Sequence, residues 1–405
     1  MRELISPIKL IFTGKLFISL TKFIMGVLTA RYLGPSGKGL YLAFTRFILL
    51  TSMFLSFSAG EGLIYSKKVL NRNKEVFGLS ILYSFIFSTL ACLLIYFCME
   101  ILTEFIPSFD QLTSNKNLLY ISLVSSIFYI FTLKLFQASK LYQLLNAFSI
   151  LNVLLQLLSI ILVIIIFSSE IEKILLFWCI AISLSSALAF ISCFFKIGMP
   201  SFKGVKEIIV NFIYSLKIHL LEFPISLENQ LGVLVLFAIA PLEAVGIFGT
   251  AIAISQIIFY LTNTVNLTLF PYLVGKESND EENLVDIMFL TRFSIFTFLI
   301  YSIFILFLGE FLIIFIYGQD FSEAYKVLLI LLPGVALEIV FRYLYSWLKA
   351  KNQTLVLSPV GIISLSANIL LIVYLYSIYS INGAALAVTL TFCLRSIFLL
   401  AYMHV

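Results

Sequence analysis

Two lysines seven residues apart, Lys15 and Lys22, and two glutamates six apart, Glu222 and Glu228, interrupt long apolar stretches of this 405-residue sequence. Seven residues is close to two helical turns, so the lysines return to nearly one helix face. A charge at the centre of a membrane helix costs roughly 2.5–3.5 kcal/mol on insertion scales, so each of these groups needs a reason to be there. Lys15 can snorkel its ammonium to the nearer interface or line a cavity. Lys22 lies about 20 Å along a helix from that end, which favours cavity lining over a structural ion pair. Arg31, at a helix end, and Arg46, about two turns into the next apolar run, complete a basic set suited to holding an anion.

The acidic set differs. Glu222 and Glu228 share a segment with Lys217, His219, Asn229 and Pro224, and an acid there suits an ion site or a contact between lobes. Pro224 frees a backbone carbonyl and permits bending, so it is the candidate hinge. Glu338 and Arg342, spaced i,i+4 with the acid first, should neutralise one another. Arg292 and Arg395 read as snorkelling or paired, and Trp178, Trp347 and the tyrosines as interface anchors.

No hydrolytic or redox constellation accompanies these charges. The two histidines, His219 and His404, lack metal-ligand spacing, and the five cysteines form no CxxC. Gly34–Gly39 resembles a phosphate loop only superficially: a Walker motif needs Gly where Tyr32 stands and Ser or Thr where Gly39 stands. No catalytic residue, metal or cofactor is expected.

The elements that must position these residues are membrane spans. The apolar fraction is 61%, the charged fraction 12% and the mean hydropathy +1.09, whereas a soluble domain carries about 25% charged residues. The apolar runs are continuous and long enough for helices crossing a ~30 Å core, and lack the alternation of a barrel. They predict helices near 8–30, 40–64, 75–97, 118–138, 143–168, 172–195, 213–240, 243–273, 286–317, 322–349, 354–378 and 381–404. The connection 198–212 is the natural boundary between groups and reads as an amphipathic surface helix. Met1-Arg2-Glu3 does not open a cleaved signal.

Loops after even-numbered helices hold eleven Lys or Arg, those after odd-numbered helices only Arg31, Lys38, Lys116, Lys173 and Lys326. The asymmetry predicts that both termini lie in the cytoplasm. An internal repeat agrees. Pro35 with Gly39-Leu40-Tyr41 matches Pro241 with Gly246-Ile247-Phe248, about 207 residues on, and Leu135–Lys140 matches Trp347–Asn352. Gln156 falls opposite Asn368, and Lys15 and Lys22 opposite Glu222 and Asn229. The fold class expected is therefore all-α: about twelve transmembrane helices in two pseudo-symmetric six-helix lobes, 1–198 and 199–405, with a transporter-like cavity between them.

Several of these segments resemble one family. Leu28-Thr29-Ala30-Arg31-Tyr32-Leu33-Gly34-Pro35, Ala244–Phe248, Tyr317-Gly318-Gln319-Asp320-Phe321, Leu331-Leu332-Pro333-Gly334 and Leu348-Lys349-Ala350-Lys351 are similar to helix junctions of the Wzx-type O-antigen and capsule repeat-unit flippases, in the MATE-like MOP superfamily. The resemblance implies transfer of an undecaprenyl-diphosphate-linked oligosaccharide from the cytoplasmic to the outer leaflet of a bacterial inner (plasma) membrane. Its partners would be that substrate and membrane lipids, with H+ or Na+ as coupling ion and polysaccharide polymerase machinery nearby, and no nucleic acid. Many relatives carry an acid in the seventh helix where Gly232 stands here, so any coupling role shifts to Glu222 or Glu228. A MATE-type cation or drug antiporter and a lipid II-type flippase are the alternatives.

Overall fold

A computed structural model of the chain describes residues 2–404 except 71, 107, 114, 168–169, 204–207, 264, 267–268, 270–279 and 352–353. Its side chains are described except also at 2–11, 65–70, 105, 113, 208–210, 221–222, 225–226, 228–229, 280–284, 354–357 and 403–404. Among these residues every regular element is helical.

The first helical run, Arg2–Leu55, is two helices, α1 (2–33) and α2 (35–55), joined at Gly34 (φ +66°, ψ −176°). A side chain would be strained in that conformation. Pro35 explains the position: it disfavours helix in the residue before it and opens the helix after it. Then follow α3 (Asn73–Phe105), α4 (Lys116–Ala138), α5 (Tyr142–Ile166), α6 (Ile171–Lys196) and α7 (Ile208–Ile239). Helix α8 (Leu242–Ser255) continues through a 3-10 turn to residue 263. After α9 (Asp280–Tyr317) and α10 (Glu323–Ala350), the run Thr354–His404 divides at Ser380 (φ +52°) into α11 (354–379) and α12 (381–404).

Nine described segments are long and apolar enough to cross a membrane. Two of them each contain two helices joined at a kink, which makes eleven; α7 is a further helix of 32 residues, within which 230–239 is the described apolar stretch. The chain is a multi-pass all-α membrane protein.

The structure revises several local expectations. The second span does not run unbroken over 40–64: α2 stops at Leu55, and Ala59–Leu70 is a separate helix. Between them Phe57 and Ser58 hold positive φ angles of 46° and 51°, costly for residues other than glycine. Packing offsets that cost, with the Phe57 ring 6.0 Å from Phe87, 6.1 Å from Phe212 and 5.5 Å from His219. Of the 198–212 connection, Lys203 is in a 3-10 turn and α7 begins at Ile208; the surface helix expected there falls on residues 204–207, outside the described residues. Trp178 and Trp347 are both buried within the protein. Trp178 meets Phe44 edge-on at 5.9 Å, tying α6 to α2, and the Lys351 ammonium lies 4.0 Å over the Trp347 ring.

The chain forms two compact units, Met1–Phe223 and Pro224–Val405, so their boundary falls inside α7 at Pro224, whereas the sequence division at 198 follows the long connection. In the first unit α4 is central, packed on α3 and α6, while α1–α2 packs on α5. In the second, α10 is central, packed on α8, α9 and α11–α12. The fourth helix of each six is thus the core of its own unit. Gly334 lets α10 approach α12 closely: a Cβ there would lie 2.8 Å from the Thr389 Cα.

Candidate anion-binding site

In the first unit, α1 carries Lys15 and Lys22, both exposed on one helix face. Arg46, half-buried on α2, is near enough to Lys22 for their like charges to repel. The Gly34 turn creates this proximity by folding α2 back along α1. Among the described residues, no acid pairs with Lys15, Lys22 or Arg46. Arg31 is exposed in the last turn of α1 and already engaged by neighbours. Nine residues from Lys22, it projects about half a turn out of phase. The structure therefore brings Lys22 and Arg46 together, keeps Lys15 two turns away on the same face, and turns Arg31 aside.

One cation here went unnoticed in the sequence. Lys38, counted as a loop base, is buried and donates from Nζ to the Gly26 carbonyl at 3.1 Å. It bridges α1 and α2 across the break. A lysine a few residues past a Gly-Pro turn was the available signal.

Of the acidic candidates, Glu222, Glu228 and Asn229 have backbone within α7, but their side chains lie outside the described residues. Helix α7 passes through Pro224, which is buried. One turn earlier, His219 stacks on Phe223 at 4.5 Å, and its Nδ1 is 3.0 Å from the Ser58 Oγ. Close packing continues beside it: a Cβ on Gly62 would lie 2.3 Å from the Ser215 Oγ and 2.9 Å from the Asn211 carbonyl oxygen.

The second unit holds a buried ionic network. Glu338 accepts from Arg342 Nε at 2.9 Å, as the i,i+4 spacing predicts, and also from Arg395 Nε at 2.7 Å. Arg395 Nη2 pairs with the same carboxylate. Arg395 is therefore paired rather than snorkelling, and its side chain is fully buried. It packs between Phe341 and Phe392, 4.6 and 4.7 Å from their ring centres. Arg342 Nη1 donates to Asn263 Oδ1 at 2.9 Å, and its guanidinium stacks 4.0 Å over Phe259. The network ties α8, α10 and α12 together, with Glu338 held between two guanidiniums.

A polar tie of the same kind recurs in the first unit. Lys134 on α4 pairs with Glu61, in the short helix that continues α2. Lys134–Glu61 joins the fourth helix of its six to the second, as Arg342–Asn263 does in the other unit. By contrast, Gln156 does not reproduce the role of Asn368. Asn368 Nδ2 donates to Thr391 Oγ1 at 3.2 Å, across to α12, whereas Gln156 donates only to Asn152, 3.1 Å away on its own helix. Asn152 makes the cross-helix contact instead, accepting from Ser185 Oγ at 2.9 Å.

No group of His, Cys, Asp and Glu side chains among the described residues could hold a metal ion. What Lys22 and Arg46 can do is hold an anion. Like charges on membrane-spanning helices repel one another, and an oxyanion relieves that repulsion through charge-assisted hydrogen bonds.

Comparison with known proteins places the chain more closely. The sequence profile of the family described as "Polysaccharide biosynthesis protein" matches residues 8–275. No curated protein matches the sequence. Among solved structures, the fold is similar to the lipid II flippase MurJ in an inward closed conformation, with TM-score 0.76 and 16% identity over 98% of this chain and 87% of that one. It is also similar to a multidrug-resistance MATE transporter of the MOP superfamily in an inward-facing conformation, with TM-score 0.79 and 12% identity over 96% and 94%. The Vibrio cholerae MATE transporter VcmN in its bent form matches at TM-score 0.58 and 14% identity, over 100% and 98%.

Proposed function

The chain belongs to the polysaccharide biosynthesis protein family, and from that premise we propose that it is a flippase for a lipid-diphosphate-linked oligosaccharide. The observation that carries this reading is the pairing of Lys22 with Arg46, which no described acid neutralises. A diphosphate offers anionic oxygens to which such cations can donate. The reaction is transport, so the residues need only bind, orient and release; the lipid tail stays in hydrocarbon while the charged head crosses. The direction is from the cytoplasmic to the outer leaflet, by alternating access, with both termini inside, as the loop charges favour. The repeat unit of an O-antigen or capsule is the cargo, a polymerase takes up the product, and Glu222 or Glu228 is the candidate for H+ or Na+ coupling.

A MATE-type antiporter is the competing reading, because that fold matches equally well. Its cationic cargo would be repelled by Lys22 and Arg46, and this sign argument favours the flippase.

The test is complementation of a deletion strain that lacks a redundant flippase, following undecaprenyl-linked repeat units on the cytoplasmic face. Lys22→Glu and Arg46→Glu should each cut transport at least about thirtyfold, the minimum expected when a charge-paired contact of about 2 kcal/mol or more is lost. Lys22→Arg should retain it. Full transport by Lys22→Glu removes the diphosphate assignment, and normal surface polysaccharide in the deletion strain removes the flippase reading itself.

A further inference from the structure

On α3, Ser88, Thr89, Cys92, Leu93 and Tyr96 line an open groove of about 430 Å³ that Tyr120 and Val124 of α4 close from the other side. The groove has a sequence cause. Ser88, Cys92 and Tyr96 are spaced i, i+4 and i+8 and so form one row along α3, while Val124 and Tyr120 form the facing row on α4. Small side chains leave a notch at one end of the row, and the two tyrosines wall the other. The notch is apolar in effect, because the Ser88 hydroxyl is turned into its own helix, 2.6 Å from the Ser84 carbonyl.

Its level in the membrane follows from the charges beside it. Tyr96 is one turn before Glu100 on α3, and Tyr120 one turn after Lys116 on α4, so both phenols stand at the polar boundary where interfacial tyrosines collect. From there the groove descends about 12 Å to Ser88, at 1.5 Å per residue. Among the described residues, neither phenol hydroxyl has a hydrogen-bond partner. The site thus has an apolar slot below and two open polar hydrogens above. That is the outline of a single lipid: a chain lying lengthwise and head-group oxygens at the rim.

We propose that this groove seats the polyprenyl tail of the lipid-linked substrate, with Tyr96 and Tyr120 donating to its phosphate oxygens. The assignment rests on the flippase reading above and adds a second contact, remote from Lys22 and Arg46 in sequence. About 430 Å³ along 12 Å of helix gives room for a chain lying lengthwise, and the flippase reading supplies one, the polyprenyl tail that stays in hydrocarbon while the head crosses. In the orientation proposed above, the groove opens at the outer end of α3 and α4. It would hold the tail once the head has crossed.

The experiment uses the full-length protein in nanodiscs with a diazirine-bearing polyprenyl phosphate and, in parallel, a diazirine-bearing phosphatidylglycerol. Crosslinked peptides are mapped by mass spectrometry. The polyprenyl probe should label 88–96 and 120–124, unlabelled undecaprenyl phosphate should compete, and the phosphatidylglycerol probe should label these peptides weakly. Cys92→Phe, which fills the notch, should lower the labelling roughly tenfold, what losing the contact of about two methylene groups produces. Val124→Phe fills it from α4 and serves if Cys92→Phe does not fold. Equal labelling by both probes, failure to compete, or unchanged labelling in a folded filled variant overturns the proposal. Lys22→Glu separates the two readings: it should abolish transport and leave groove labelling intact. Groove labelling that persists where wild-type transport is absent would sink the flippase reading alone.

Discussion

Replacing Glu338 by leucine removes the acid that serves two guanidiniums in the second unit. Arg395, whose side chain is fully buried, would keep its charge with no carboxylate beside it, and Arg342 would lose its Nε partner. Removing one member of a buried pair costs about 3–5 kcal/mol, because the remaining charge is left without compensation. At 2–4 °C per kcal/mol for a domain of this size, the melting temperature should fall by about 6–20 °C. The assay is thermal unfolding of the purified protein in one detergent, read by tryptophan fluorescence and by loss of the monodisperse peak. Arg395→Leu alone should cost a similar amount, because it leaves Glu338 with Arg342 only. The double variant Glu338→Leu/Arg395→Leu should recover most of the loss, since an apolar pair of similar volume is often neutral or better. A single Glu338→Leu that costs under about 1 kcal/mol, or a double variant as unstable as the summed singles, would refute the idea that this network is a desolvated ion pair.

Three further perturbations follow from the same geometry. Lys134→Met should change stability by no more than about 1 kcal/mol, because Lys134 and Glu61 are each about a third exposed; the same melting assay checks it. Gly34→Val places a β-branched residue at φ +66° and should cost at least about 1–2 kcal/mol, read as reduced yield of folded protein. Gly62→Ala puts a Cβ 2.9 Å from the Asn211 carbonyl oxygen; the overpacking should cost about 1–3 kcal/mol, measured as a lowered melting temperature with Gly62→Ser no better.

The elements of the fold were legible because lipid imposes one rule on every span: apolar length. The twelve helices and the pairing of Glu338 with Arg342 needed only periodicity. What the sequence did not reveal depends on contacts between distant positions. Arg395 joins Glu338 across 57 residues, and no local pattern marks that. The break at Phe57–Ser58 carries no glycine or proline, and is stabilised by rings on α3 and α7. Trp178 was read by residue type alone, whereas its burial against Phe44 is a contact between helices far apart in sequence. In the candidate site, the α1 face was readable from a seven-residue spacing. The approach of Arg46 to Lys22 depends on how tightly the Gly34 turn folds α2 back, and Arg31 was grouped with them although helical phase turns it away.

The matched ties of Lys134 to Glu61 and of Arg342 to Asn263 bear on how such chains can be recombined. Each cation and its partner belong to the same six helices, so an exchange that moves a whole half carries both ends of the tie with it. An exchange of the fourth helix alone would strand a lysine or an arginine against an unmatched neighbour. Chimaeras of related chains should then be cut at Pro224 of α7, where the two compact units divide, rather than within a unit.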